Sequence, residues 1–160
     1  MLSLIIKKAF DLVNRTLLWQ SLLKYELNGK LFRIIFNMYD TAKSCIKLGN
    51  KLSDFFSCNI GVRQGENLSP LLFALFLNNF NTTISQHYNG LQILSTNKFY
   101  DINIDVQLKL FSLLYADDTI VLAESELELQ SALNAVHEYC TKMCLTVNTS
   151  KTKIMIFFTW

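Results

Sequence analysis

A chain of 160 residues is long enough for one domain with a substantial core and too short for two. Its composition, 51% hydrophobic with 12 Phe, one Pro, five Gly and a net charge of only +2, excludes a disordered or low-complexity protein. No apolar run approaches the ~20 residues that cross a bilayer, and the opening Met1-Leu2-Ser3-Leu4-Ile5-Ile6 is too short, with its lysines on the wrong side, for a secretory signal.

Residues 2–6 read as a short buried strand that leads into Lys7-Lys8-Ala9-Phe10-Asp11. Leu17, Leu18, Ser21, Leu22 and Tyr25 repeat at helical spacing over residues 12–27, and Asn28-Gly29 reads as the stop. A second helix is expected over residues 30–39, with Leu31, Ile34, Ile35 and Met38 on one face. Residues 44–48 and 52–58 flank Gly49-Asn50-Lys51, which is a hairpin signal. Ser69-Pro70 opens the helix with the clearest period, carried by Leu71, Leu72, Leu75, Phe76 and Phe80. Residues 88–105 are polar and irregular and read as a loop or partial hairpin. A hairpin over residues 108–123 follows, then a helix from an N-cap at Ser125 to about Met143, with Glu126 and Glu128 in its first turn. Residues 145–148 and 152–158 close the chain as strands. This order predicts a single α+β domain over residues 1–160, an antiparallel sheet with helices packed on one side.

Cys45, Cys58, Cys140 and Cys144 form no C-x-x-C pair, and His87 and His137 complete no zinc pattern, so reduced thiols in an intracellular protein are expected. Charge is segregated: residues 1–63 hold 10 Lys or Arg against 4 Asp or Glu, and residues 64–160 hold 5 against 9. A basic portion beside an acidic one fits a phosphate-bearing partner near a metal, and is also common on plain solvated surfaces.

Two stretches carry chemistry. Tyr115-Ala116-Asp117-Asp118 places adjacent carboxylates at the tip of the predicted hairpin, between apolar runs. Neighbouring carboxylates repel, so a fold that holds two side by side commonly has a cation between them, and hard oxygen ligands suit Mg²⁺. Asp is equally at home in an ordinary turn for local hydrogen-bonding reasons. The other stretch is Gly61-Val62-Arg63-Gln64-Gly65-Glu66-Asn67-Leu68-Ser69-Pro70, in which two glycines allow close backbone approach and Arg63 and Gln64 supply donors just before a helix N-terminus. Read without a partner, it is a tight loop that caps a helix.

Lys7-Lys8-Ala9-Phe10-Asp11, the glycine block about 50 residues later and the Tyr-Ala-Asp-Asp hairpin about 50 residues after that stand in the order found in reverse transcriptases, and the chain resembles in particular those of non-LTR (LINE-like) retrotransposons. Cys144-Leu145-Thr146-Val147-Asn148-Thr149-Ser150-Lys151-Thr152-Lys153 resembles the fourth block of the same enzymes. The resemblance implies an RNA-directed DNA polymerase palm that extends a DNA primer on an RNA template with deoxynucleoside triphosphates and Mg²⁺ or Mn²⁺. It makes Asp117 and Asp118 the metal-binding carboxylates and Lys151 the proton donor to the departing pyrophosphate. It puts Tyr115 beside the primer terminus, Phe10 under the incoming sugar, and Gln64 with Gly65 along the nucleotide and template pocket. Ala9-Phe10 and Ala116 argue against a viral RNA-dependent polymerase.

Two departures from the family pattern stand out. The first block normally reads Asp-x-x-x-Ala-Phe-Asp, and its leading Asp is the third metal ligand; counting back from Ala9 lands on Ile5. Asp11 is the remaining candidate, but it lies six residues further on, and with a strand rise of ~3.3 Å per residue it could substitute only after local rearrangement. The second departure is extent: a palm is expected with fingers and thumb mostly absent, these being partner segments of a longer polyprotein without a membrane anchor, intracellular and, in an active element, nuclear. The alternative to a working polymerase is a catalytically inactive retrotransposon remnant with at most weak nucleic-acid binding.

Overall fold

The computed structural model describes residues 1–99, 102–115 and 118–157, the backbone alone for residues 93–99, 102–108, 114 and 115. In chain order its elements are β1 (Leu2–Ile5), α1 (Arg15–Lys24), α2 (Gly29–Asp40), β2 (Lys43–Ser44), β3 (Lys47–Leu48), β4 (Lys51–Leu52), β5 (Phe56–Ser57), α3 (Leu68–Leu77), α4 (Phe80–Ile84), β6 (Leu91–Phe99), β7 (Ile102–Leu110), β8 (Ser112–Tyr115), β9 (Asp118–Val121), α5 (Glu126–Lys142) and β10 (Lys153–Ile154). The chain divides into two compact units, one of Met1–Lys7 with Asn78–Trp160 and one of Lys8–Leu77.

The first unit is built on a four-stranded sheet in the order β10-β1-β9-β8, antiparallel at every pairing. β1 alternates as a half-buried strand should: Leu2 and Leu4 are buried, Ser3 and Ile5 only partly. Its register against β9 sets Leu2 opposite Val121 and Leu4 opposite Thr119, so the buried residues of both strands share one face. The other face carries Ser3 opposite Ile120 and Ile5 opposite Asp118. In α5 the Ser125 hydroxyl accepts from the Glu128 amide at 3.2 Å, and Glu126 and Glu128 sit where the helix dipole favours negative charge. Its buried stripe, Ala132, Ala135, Val136, Tyr139 and Cys140, keeps helical spacing, and Phe80 meets Tyr139 edge-on at 5.1 Å. The helix closes without glycine: Cys144 takes the left-handed conformation (φ 55°), and the Leu145 amide returns to the Cys140 carbonyl at 2.8 Å.

In the second unit α1 packs on α3. Asn14 caps α1, its side chain accepting from the Leu17 amide at 3.1 Å, and Leu18 and Leu22 are buried. Leu72, Phe73, Phe76 and Leu77 supply the buried side chains of α3, and Pro70 falls in its first turn, where its missing amide hydrogen removes no helical bond.

Four expectations need correction or refinement. The α1 stop is not Asn28-Gly29: Glu26 (φ 59°) ends the helix, with the Leu27 amide bonded to the Leu22 carbonyl at 3.0 Å, and Gly29 starts α2. The inward face of α2 is set by aromatic stacking, since Trp19 meets the rings of Phe32, Phe36 and Tyr39. Ile35 and Tyr39 are therefore buried, and Leu31, Ile34 and Met38 are exposed. Of the two readings of residues 88–105, loop or partial hairpin, the hairpin holds and is longer than expected: β6 runs antiparallel to β7 from Leu91 opposite Leu110 to Phe99 opposite Ile102. The closing strands are short: Val147 makes a single bridge to Ile6, and only Lys153 and Ile154 pair with β1.

Candidate active site

In the sheet unit the hairpin expected over residues 108–123 is shorter, from Ser112 to Val121, because residues 108–110 belong to β7. β8 and β9 pair antiparallel down to Tyr115 opposite Asp118. Asp117 lies outside the described residues. Asp118 is exposed at the start of β9, and its partner on the other side is Ile5. Thr119, the next residue, is 1% exposed, and its hydroxyl has no hydrogen-bond partner among the described residues. The segment before Lys151 is anchored to β1: the Asn148 amide bonds to the Ile5 carbonyl at 2.8 Å and the Lys7 amide to the Thr146 carbonyl at 2.7 Å. Lys151 itself is exposed, in a turn closed by its amide on the Asn148 carbonyl at 3.1 Å.

The other unit gathers Phe10, Gln64 and Gly65. Together with Arg63, Glu66, Asn67, Ser69 and Pro70 they line a cleft of about 530 Å³. Phe10 is held from behind by Phe73, their rings stacked at 4.8 Å with 25° between planes. A Cβ on Gly61 would sit 2.5 Å from the Asp11 carbonyl oxygen, so only glycine permits this approach. Two backbone bonds fasten it there, Gly61 amide to Val13 carbonyl at 2.9 Å and Val62 amide to Phe10 carbonyl at 2.8 Å. The Gln64 side chain then donates to the Asp11 carboxylate at 2.9 Å. Asp11 thus serves as the acceptor that orients Gln64.

Sequence reasoning passed over Arg15 and Tyr39. The Arg15 guanidinium donates to the carbonyls of Gly61 (2.8 Å), Tyr39 (3.0 Å), Cys58 and Ile60 (3.3 Å), and lies 5.1 Å from the Tyr39 ring centroid. Burial lowers its pKa below the ordinary value, outweighing the opposing pull of Cys58 and Tyr39. Tyr39 is fully buried, shares a hydrogen bond with the Ser69 hydroxyl at 3.1 Å, and has Arg63 5.6 Å from its ring. Arg63 in turn pairs with Glu66 and donates to the Met38 carbonyl at 2.8 Å. No sequence signal marked Arg15, which stands between the polar Asn14 and Thr16 and whose hydrogen-bond partners are backbone carbonyls.

Hard divalent cations ask for several oxygen ligands. The exposed Asp118 carboxylate suits such an ion; the aliphatic Ile5 opposite it does not. Among the described residues no three His, Cys, Asp or Glu side chains cluster.

An antiparallel α+β fold with a β-hairpin ending at Asp118 and a glycine-bracketed turn ahead of a helix has the features expected of a nucleic-acid polymerase palm. Residues 1–157 match the family described as reverse transcriptase (RNA-dependent DNA polymerase), and the chain belongs to that family. It is similar to the Retrovirus-related Pol polyprotein from type-1 retrotransposable element R2 of Popillia japonica, 24% identical over 149 residues that cover 93% of this chain and 23% of the relative. It is also similar to the Transposon TX1 uncharacterized 149 kDa protein of Xenopus laevis, 28% identical across 94% of this chain and 11% of that protein. In fold it matches apo telomerase from Candida tropicalis truncated from its C-terminal domain, with a TM-score of 0.69 at 16% identity over 95% of this chain and 29% of the telomerase chain. The chain thus spans less than a quarter of the length of these retroelement proteins. No helix among the described residues is long and apolar enough to cross a membrane.

Proposed function

We propose that residues 1–160 form one reverse-transcriptase palm domain, which holds an RNA template paired with a DNA primer and admits deoxynucleoside triphosphates, and whose own nucleotidyl transfer is crippled at Ile5. The observation that carries this reading is the register of β1 on β9, which sets Ile5 directly opposite Asp118. Asp117 and Asp118 would hold the divalent ion, Mg²⁺ or Mn²⁺, which when bound neutralises charge on the phosphoryl oxygens. The chain's own groups do the positioning. Phe10, backed by Phe73, offers a flat wall for a deoxyribose; Gln64 and Gly65 line the cleft beside it; Tyr115 stands at the hairpin for the primer end; Lys151 is the proton donor to pyrophosphate. Template and primer are gripped through duplex shape and backbone, with the flanking segments of a longer polyprotein as partners in that grip.

A working polymerase is the competing reading, and the two separate in one experiment. Fluorescence anisotropy with a poly(A)–oligo(dT) duplex should give binding that weakens with salt, and primer extension on the same duplex with Mg²⁺ or Mn²⁺ should give no product. Failure to bind the duplex refutes the palm reading. Extension by the unaltered chain that disappears on Asp117→Asn refutes the crippled site and makes Asp11 the third ligand.

A further inference from the structure

We propose that Arg15 is a positioning residue for the nucleotide pocket, a clamp that fixes the backbone of residues 58–61 and through it the turn that presents Gln64. The role assigned to that pocket rests on the polymerase reading above; the clamp itself rests on geometry alone.

Arg15 is the first residue of α1, directly after its N-cap. From there its planar fork reaches two separate pieces of chain. One nitrogen serves the Tyr39 carbonyl at the C-terminal end of α2, where unsatisfied carbonyls and the helix dipole both favour a cation. The other bonds go to Cys58, Ile60 and Gly61, an irregular segment with no strand partner to take up those carbonyls. Gly61 is buried and Cys58 half-buried, so carbonyls left there without a donor would be unfavourable, while that of the exposed Ile60 can turn to water; the path at Cys58 and Gly61 depends on the guanidinium. Gly61, the last of the three, is the residue pressed against Asp11, and the Val62 amide beside it bonds back to Phe10. One side chain therefore sets the register between the segment carrying Phe10 and Asp11 and the turn carrying Gln64 and Gly65.

A lysine could keep the charge and some packing over Tyr39, but one ammonium cannot reproduce a five-donor fork aimed at four carbonyls. The role of Arg15 is thus geometric, and a conservative replacement should fail to restore it.

The test uses Arg15→Lys and Arg15→Gln in the full chain, with Arg33→Gln, an exposed position of α2 outside the cleft, as a control that should change neither readout, read by amide hydrogen exchange and by titration of a fluorescent deoxynucleotide, mant-dTTP, onto the chain with its poly(A)–oligo(dT) duplex. Both Arg15 variants should speed exchange at Gly61 and Val62 about tenfold or more while Leu18 and Leu72, in the helical core, stay protected. Both should weaken mant-dTTP binding about tenfold, since small misplacements of a pocket weaken its grip. Exchange at Gly61 and Val62 that is unchanged in Arg15→Gln overturns the clamp, as does acceleration spread evenly over Leu18 and Leu72, which would mean general destabilisation. Full recovery in Arg15→Lys would show that charge rather than the fork matters, and would overturn it too. If the unaltered chain binds no mant-dTTP, the polymerase reading fails, and the exchange pattern still decides the clamp.

Discussion

Ile5 and Asp118 are direct cross-strand partners between β1 and β9. Paired residues in an antiparallel ladder point to the same face with Cβ atoms ~5 Å apart, within the span that a shared cation bridges. Ile5 is only partly buried, on the solvated side of a strand whose Leu2 and Leu4 make the core. A carboxylate at this position is therefore sterically and dielectrically tolerable.

The Ile5→Asp variant should accordingly become metal-dependent. Without metal, two like charges in register destabilise by roughly 0.2–1 kcal/mol. With Mg²⁺ at about a hundredfold above its dissociation constant, the gain would be about 2.7 kcal/mol. Thermal melts should show the variant below the unaltered chain in EDTA and above it in Mg²⁺, and primer extension should recover less than metal affinity does. An identical Mg²⁺ response in the Ile5→Asp/Asp118→Asn double variant would sink the shared site.

Gly61 and Gly65 should respond unequally to alanine, although both have positive φ (81° and 85°). At Gly65 nothing lies within 4 Å of an added Cβ, so Gly65→Ala carries only the conformational penalty, about 1 kcal/mol. At Gly61 the Cβ would also meet backbone oxygen at 2.5 Å, and backbone cannot step aside as a side chain can. Gly61→Ala should lose several times as much stability and widen the Phe10 cleft, with weaker nucleotide binding. Denaturant midpoints that are equal for the two variants would contradict this.

Thr119 offers a stabilising change. Its hydroxyl is buried without a partner among the described residues, opposite Leu4 in the core face of the sheet. Thr119→Val keeps the shape and removes the desolvation penalty, so stability should rise by about 1–2 kcal/mol. A Tm that falls would show that the hydroxyl finds a partner in solution.

The sequence was most legible where chemistry and periodicity coincide. Tyr115 and Asp118 pair as a hairpin because apolar runs flank them, and Phe10, Gln64 and Gly65 meet because glycine allows residue 61 to touch the backbone of Asp11. It was least legible where a tertiary partner overrides a local signal. Glu26 and Cys144 end helices in the left-handed conformation that one expects of glycine, because Leu27 and Leu145 each close a backbone bond beyond them. The inward face of α2 was misread because its aliphatic period points outward, while the rings of Phe32, Phe36 and Tyr39 gather around Trp19. The hairpin of β6 and β7 was only partly read, although Ile102, Ile104, Val106, Leu108 and Leu110 alternate with polar residues at the strand period; the less regular sequence of β6 masked that signal. Arg15 was invisible because its partners are carbonyls, which every sequence has.

High pH should unfold the sheet unit through two buried acids. Burial raises the Cys140 thiol from 9.0 to about 11, and raises the Tyr88 phenol, which donates to the Phe111 carbonyl at 2.6 Å, from 10.0 to about 12. In each case the folded chain holds a proton that the unfolded chain releases earlier. Below pH 9 both are protonated in either state and their stabilisation is complete; it drains between pH 9 and 11 for Cys140 and between pH 10 and 12 for Tyr88. Tm should therefore be nearly flat up to pH 9 and fall steeply above it, and Cys140→Ala should flatten the first part of that fall while lowering Tm throughout by opening a small cavity. Thiol labelling supplies the independent check: Cys144, exposed, should react with an aromatic disulfide at pH 8 in the native state, and Cys140, buried, only when the chain unfolds. Rapid native labelling of Cys140, or an unchanged alkaline slope in Cys140→Ala, would mean that the thiol is not held neutral by the core.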